Sequence, residues 1–396
     1  MYRIGFFNMD LLPKYNRVKS LYEEYYALLK DSNSVKLLPK YESLSKNDYL
    51  NQIQTEIEQY DVFFGYDRNF LQARNRFRKN IPAIIPLFAD MTMGGMTLWI
   101  NQNYFKTNDI LLFSCKADYA IYKKVCVDCS IRTKIMPLPI GEMFETLQEK
   151  KIAVANAFSL LYVGRLTRSK NIHGLLDLCR HLKGHMNFRL VLVGTWDYYI
   201  DGREYRIFIE EKVKEYDIAE YLVFKGHLTG NELLNEYRSA DVFVNLTLNK
   251  DENFGLVQVE AMSQGLPIVC SDWGGLKDHV VHGWNGFKIK TAYAREKIKL
   301  ELMEAVKYIE MLRDVGVRKS MSQNARHLFL TTYSRSVIKC EIEQVLANTT
   351  NSVNEPARIK FSNEAQAFCM QRIFGVMNHN ESNADFKYLN IYASNT

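Results

Sequence analysis

The sequence predicts an α/β protein made of two doubly wound parallel sheets, and three observations carry that prediction. Short apolar runs alternate with amphipathic stretches almost from end to end, a pattern that calls for parallel strands joined by right-handed helical crossovers. With 396 residues, the chain exceeds one average domain and suits two. The alternation pauses once, at Pro137-Leu138-Pro139 and the charged run Glu145 to Lys151, which reads as a linker. We therefore expect an N-terminal domain over 1–150, a second over 151–333, and a helix and tail over 334–396 that return to the first domain.

The elements follow in order. In the first half, Arg3 to Phe7, Asp61 to Phe64, Ala83 to Phe88 and Ile110 to Phe113 read as buried strands, with helices over Val18 to Leu29 and Lys46 to Gln59 between them. In the second half the strands are Ser159 to Val163, Arg189 to Val193, Tyr221 to Phe224, Asp241 to Val244, Pro267 to Cys270 and Gly286 to Ile289. Helical spacing marks Ile172, Leu175, Leu176, Cys179 and Leu182, and again Leu233, Leu234 and Tyr237. Beyond Ser334 the chain turns helical, then polar from Ala347 to Glu355, and ends in an Asn- and Ser-rich tail.

Composition narrows the class. With 47% hydrophobic residues, 24% charged and 8 prolines, the chain can bury large cores and is neither disordered nor fibrous. No run approaches the ~18 apolar residues of a membrane span, and Ile4 to Phe7 is too short for a secretory signal. Seven scattered cysteines argue for a reducing compartment, so a cytoplasmic protein is expected. A net charge of +6 suits anionic ligands or an anionic membrane face, but over 396 residues it is too mild to indicate nucleic acid.

In such sheets ligands sit at the carboxyl ends of strands, so the loops there hold the chemistry. Asp251-Glu252-Asn253-Phe254-Gly255-Leu256-Val257-Gln258-Val259-Glu260-Ala261-Met262 follows one strand and leads through Gly265-Leu266-Pro267 into the next. Gly255 admits close approach of a ligand to the backbone. A helix starting there offers unpaired N–H groups to phosphate or sugar oxygens. Glu260, about 7.5 Å along that helix, leans back toward its start, so Glu252 and Glu260 can each grip a vicinal diol. The stretch Val163-Gly164-Arg165-Leu166-Thr167-Arg168-Ser169-Lys170-Asn171 also leaves a strand, and Arg165 and Lys170 are placed to converge on an anion, with Arg168 expected to be solvated. Fixed cations there stabilise charge that grows on a departing phosphate.

These motifs resemble those of the GT-B retaining glycosyltransferases of family 4, whose donor domain carries E-x-F-G-x-x-x-x-E followed by A-M-x-x-G-x-P, and G-R-L-x-x-x-K-G. The resemblance covers roughly Phe158 to Leu330 well and the N-terminal half in outline. It implies two Rossmann-like domains facing across a cleft. It implies that Glu252 binds hydroxyls of the transferred sugar, that Glu260 binds the ribose diol, and that Arg165 and Lys170 hold the phosphates beside Gly164. By the same resemblance, backbone groups at Asn253, Phe254, Gly255, Leu256 and Val257 face the sugar and diphosphate, and those near His227 and Leu228 hold the base. Gly274-Gly275 and Asp278 resemble the family's G-G-x-x-E turn, in a supporting role.

Three departures stand out. Asn171 replaces the glycine of the cation motif, Asn8-Met9-Asp10-Leu11 replaces a G-G loop, and Ala89-Asp90-Met91 lacks the family's histidine, with Gly94-Gly95 nearby. The resemblance implies transfer of a hexosyl or hexuronosyl unit from a nucleotide sugar, a UDP-sugar by preference, to a saccharide or lipid-linked acceptor. GDP-mannose-dependent mannosyl transfer and non-catalytic nucleotide-sugar binding are the alternatives. Neither a metal nor another cofactor is expected, since cations and a helix terminus replace a metal at the diphosphate. Arg68 to Lys79, with Arg74, Arg76 and Arg78, is open to two readings, a solvated helix face or a contact with an anionic acceptor or the inner membrane face. A lone Cys126-x-x-Cys129 lacks the four ligands of structural zinc.

Overall fold

A computed structural model of the chain describes residues 1–12, 17–39, 46–76, 80–88, 96–147, 157–196, 202–249, 252–294, 297–349 and 355–373. They group into two compact units, the first containing Met1–Ile140 and the residues from Ser334 onward, the second Gly141–Tyr333. Phe144 and Glu145 belong to the second because Gln264 and Arg326 donate to their carbonyls, at 3.4 and 2.6 Å.

The first unit runs β1 (Arg3–Phe6), α1 (Arg17–Lys30), β2 (Ser34–Leu37), α2 (Lys46–Ile57), β3 (Val62–Phe64), α3 (Arg68–Arg76), β4 (Ala83–Leu87), α4 (Met96–Asn101), β5 (Ile110–Phe113), α5 (Lys116–Val125), β6 (Cys126–Cys129) and β7 (Arg132–Ile135). Six strands form a parallel sheet in the order β2-β1-β3-β4-β5-β7. The inner strands are buried on both faces, which is why β3, β4 and β5 read as unbroken apolar runs. β2 and β7 lie at the edges, half-buried and rich in polar residues, so apolar periodicity does not mark them.

The second unit runs β8 (Phe158–Val163), α6 (Ile172–Leu182), β9 (Phe188–Val193), α7 (Gly202–Tyr216), β10 (Leu222–Gly226), α8 (Gly230–Ser239), β11 (Val242–Asn245), α9 (Leu256–Ser263), β12 (Ile268–Ser271), β13 (Gly286–Ile289), β14 (Thr291–Ala294), β15 (Lys297–Leu300), α10 (Leu302–Met311) and α11 (Val315–Leu328). Its parallel sheet has the order β10-β9-β8-β11-β12-β13. β14 and β15 form a separate antiparallel pair. Ile172, Leu175, Leu176, Cys179 and Leu182, the helical stripe of the sequence, are all buried against Leu160, Leu190 and Leu192.

The chain then rejoins the first unit. α12 (Arg335–Thr349) buries Ile338, Ile342, Val345 and Leu346 against Tyr25, Leu28 and Leu29 of α1 and the strand residues Ile4 and Phe64. β16 (Ile359–Phe361) pairs antiparallel with β6 and is followed by α13 (Asn363–Ile373). All seven cysteines are free thiols, Cys126 and Cys129 among them. Among the described residues no helix is long and apolar enough to cross a membrane.

α3 settles part of the basic stretch. Arg74 is fully buried and makes a bidentate pair with Asp109, both arms at 2.6 Å. The Arg74 guanidinium also donates to the carbonyls of Ile81 and Tyr104 at 2.8 and 3.0 Å, while Asp109 accepts from the amides of Ala83 and Lys106 at 2.7 and 2.8 Å. Arg74 is thus neither on a solvated face nor available to a membrane; it ties α3 to the foot of β4 and β5. Burial foremost, with the Arg74 charge adding to it, pushes the Lys106 ammonium down to about 8. Arg68 and Arg76 are exposed, and Arg78 lies outside the described residues.

Candidate active site

In the second sheet, strand order reverses between β8, whose next strand lies on one side, and β11, which lies on the other. Such a switch point opens a crevice at the carboxyl ends of the two strands. The loop after β8 carries Gly164 to Asn171, and the loop after β11 leads to Glu252, so two motifs far apart in sequence meet where a ligand is expected.

They meet in a direct contact. Lys170 Nζ donates to Glu252 Oε2 in an ion pair whose side chains are only 18% and 11% exposed. The turn holding Lys170 is fixed by Asn171, which sits in the left-handed region at φ 55°. Glycine or asparagine suits that conformation, which explains the departure from glycine. Asparagine adds two bonds that glycine cannot make: Oδ1 accepts from the Gly174 amide at 3.2 Å, capping α6, and Nδ2 donates to the Leu246 carbonyl at 2.9 Å, just past β11. Arg165 is exposed at the end of β8, and the Tyr162 hydroxyl donates to its carbonyl at 3.0 Å. Arg168, expected to be solvated, is exposed but lies over the rings of Tyr205 and Phe208, at 4.9 and 5.4 Å.

The Glu252 loop ends at Gly255, whose φ of 77° starts α9. A Cβ there would stand 2.4 Å from Leu276 Cδ2. Asn253 Oδ1 accepts from the Phe254 amide at 2.9 Å, and the amides of Leu256 and Val257 open the first turn of α9, where helix geometry supplies no partner. Behind this loop pack Gly274 and Gly275, in a short 3-10 turn that ends at Asp278. A Cβ on Gly275 would fall 1.3 Å from the Asn253 carbonyl oxygen, and one on Gly274 2.1 Å from that of Glu252. The pair of glycines therefore lets one backbone lie directly on another. Gly275→Ala is expected to lower the unfolding free energy by about 3 kcal/mol, measured as a drop in the urea midpoint, because the obstructing atoms of Asn253 and Phe254 are main chain.

Glu260 points into the unit and is nearly buried, with its Oε2 accepting from the Tyr237 hydroxyl at 2.8 Å. Lys170 thus pairs with Glu252, and the Tyr237 hydroxyl donates to Glu260. His279 is also buried. It links the Phe254 carbonyl to the Tyr333 hydroxyl, and burial foremost lowers its pKa, so the neutral ring is favoured. His227 is exposed and Leu228 half-buried after β10; neither is drawn to the Lys170–Glu252 pair by a recorded bond. Asn8, at the reversal between β1 and β3 of the first sheet, spends its side chain on structure, accepting from Asp10 N at 3.2 Å and donating to the Leu38 carbonyl at 2.7 Å. The loop of Ala89, Asp90, Met91, Gly94 and Gly95 lies outside the described residues. Among the described residues no group of three or more His, Cys, Asp or Glu is placed to hold a metal ion.

Tyr237, His279, Tyr333 and the role of Asn171 were not legible in the sequence. Tyr237 is indistinguishable there from an apolar stripe residue, and His279 and Tyr333 meet across 54 positions.

This region is similar to known proteins. Residues 143–328 match the family described as glycosyl transferases group 1. The group 1 match spans nearly the whole second unit and contains Arg165, Lys170, Glu252, Gly255 and Glu260. An uncharacterized glycosyltransferase of Methanocaldococcus jannaschii is 31% identical over 175 residues, 44% of this chain and 41% of that protein. The lipopolysaccharide 1,2-N-acetylglucosaminetransferase of Salmonella typhimurium is 25% identical over 207 residues, 52% of each. The chain thus spans about half or less of the length of these curated relatives. HepE of Anabaena, crystallised with UDP and glucose, superposes with a TM-score of 0.65 at 17% identity, over 88% of this chain and all of that one. The likeness extends through both units, and the fold is that of GT-B glycosyltransferases: two Rossmann-like α/β domains with parallel sheets.

Proposed function

We propose that the chain is a retaining glycosyltransferase of family 4 that moves a hexosyl or hexuronosyl unit from a nucleotide sugar to a saccharide or glycolipid hydroxyl. The observation that carries this reading is the Lys170–Glu252 contact at the reversal of strand order. The bond to be broken in a nucleotide sugar joins the anomeric carbon to a β-phosphate oxygen. A cation for the phosphate and a carboxylate for the sugar must therefore stand side by side, and the adjacency of Lys170 and Glu252 supports assigning them these roles.

In the proposed reaction the bond from the anomeric carbon to the β-phosphate oxygen breaks while the acceptor oxygen bonds to that carbon from the same face. The acceptor's proton passes to the departing phosphate oxygen. Lys170 and Arg165 bind the charge that accumulates on that phosphate, joined by the amides of Asn253, Gly255, Leu256 and Val257. Glu252 orients the sugar, and Glu260, held by Tyr237, takes the ribose diol. The site uses no metal in this reading. A glycoside hydrolase would need Glu252 and Glu260 to flank one bond, which their separate partners argue against. UDP is the preferred nucleotide, supported by the fold shared with HepE and its bound UDP; the acceptor belongs to polysaccharide or glycoconjugate synthesis, and contact with the inner membrane face suits a lipid-linked one.

A thermal-shift screen against UDP-, GDP- and ADP-sugars tests the reading. The expected result is stabilisation by the UDP-sugars, about 2.7 kcal/mol at a hundred times Kd, followed by acceptor-dependent release of UDP with the anomeric configuration kept. Selective stabilisation by GDP-mannose would move the donor to mannose. Binding without nucleotide release under any acceptor would leave a non-catalytic binder.

A further inference from the structure

Gly255 gives the donor loop its entry into α9, but glycine also lets the peptide between Phe254 and Gly255 turn over at little cost. A turned peptide would present the Phe254 carbonyl oxygen, in place of the Gly255 N–H, to any anion in front of the helix. Something must hold that peptide in place. The carbonyl is bound by His279 Nε2, and His279 Nδ1 lies 2.8 Å from the Tyr333 hydroxyl oxygen.

A carbonyl can only accept, so Nε2 carries the ring proton, and Nδ1 then accepts from Tyr333. One neutral tautomer satisfies both contacts. The chain is sealed from water: Phe254 is 2% exposed, His279 1% and Tyr333 5%. The three rings also pack edge to face, with centroids 4.6 Å apart for Phe254 and His279 and 5.2 Å for His279 and Tyr333. In a trans peptide the N–H points opposite to the preceding C=O, and the chain contains no described cis bond. Drawing the Phe254 carbonyl inward therefore turns the Gly255 N–H away from the ring.

We infer that His279, fixed by Tyr333, is a positioning residue that holds the 254–255 peptide so that the Gly255 amide serves the donor's diphosphate. The inference rests on the donor reading above. Neither residue touches the donor; both act through the loop.

Calorimetric titration with UDP, GDP and ADP tests it on the full chain and on His279→Leu, His279→Gln and Tyr333→Phe. For the diphosphate that the wild-type protein binds, His279→Leu is expected to weaken binding at least tenfold. His279→Gln, whose amide can still donate to the carbonyl and accept from Tyr333, is expected to stay within threefold of wild type. That rescue separates positioning from bulk packing. Folded His279→Leu with wild-type affinity, or His279→Gln as weak as His279→Leu, overturns the inference and leaves the donor reading intact. Wild-type protein that binds none of the three overturns both. Should His279→Leu fail to fold, Tyr333→Phe decides: weakening of threefold or more supports the inference, and unchanged affinity overturns it.

Discussion

Lys170→Ala is expected to lower turnover at least a hundredfold, roughly 2.7 kcal/mol in the barrier, with a similar loss for Glu252→Gln. The structure adds a requirement to these single effects. Because Lys170 and Glu252 bind one another, removing either leaves the other charge half-buried and misdirected. Residues that act as a unit are not additive, so the double variant is expected within about tenfold of the weaker single variant rather than ten thousandfold below wild type. Initial rates with a UDP-sugar, on variants whose circular dichroism and melting match wild type, provide the check. Near wild-type rates in both folded single variants would remove the two residues from the chemistry.

Arg74→Met is expected to destabilise the protein by about 3–5 kcal/mol, measured by denaturant unfolding. The substitution strands the Asp109 carboxylate in a fully buried site and deprives the Ile81 and Tyr104 carbonyls of their donor. The paired substitution Arg74→Met with Asp109→Leu is expected to recover part of that loss, since no uncompensated charge then remains. An unchanged urea midpoint for Arg74→Met would contradict the buried geometry of α3.

The two predictions differ in how far sequence alone led to them. Lys170 and Glu252 are legible because each lies in a motif after an apolar strand, and because parallel strands put their loops at one edge. Their direct contact is not legible: it depends on β11 lying beside β8, and spacing along the chain carries no strand order. Arg74 was misleading for a related reason. Its neighbours Arg76 and Arg78 make the segment look uniformly basic, and nothing local reveals the carboxylate 35 residues away that neutralises one member of the run. The buried strands were found by their apolar runs, whereas β2, β6, β7, β16 and the β14–β15 pair were missed, since edge and paired short strands mix polar residues into only three or four positions each. Tyr237 and His279 were missed because a buried polar group declares itself only through the partner it meets.

On the proposed reaction, Asn171 has a kinetic consequence. By stitching the Lys170 turn to the neighbouring strand terminus, it makes that turn part of the scaffold rather than a flap assembled around each incoming molecule. Preset charge needs no reorganisation when the leaving group departs. If backbone groups near His227 and Leu228 hold the base, as proposed, attempts to broaden donor choice by directed evolution should keep this position fixed and diversify the surroundings of those two residues instead.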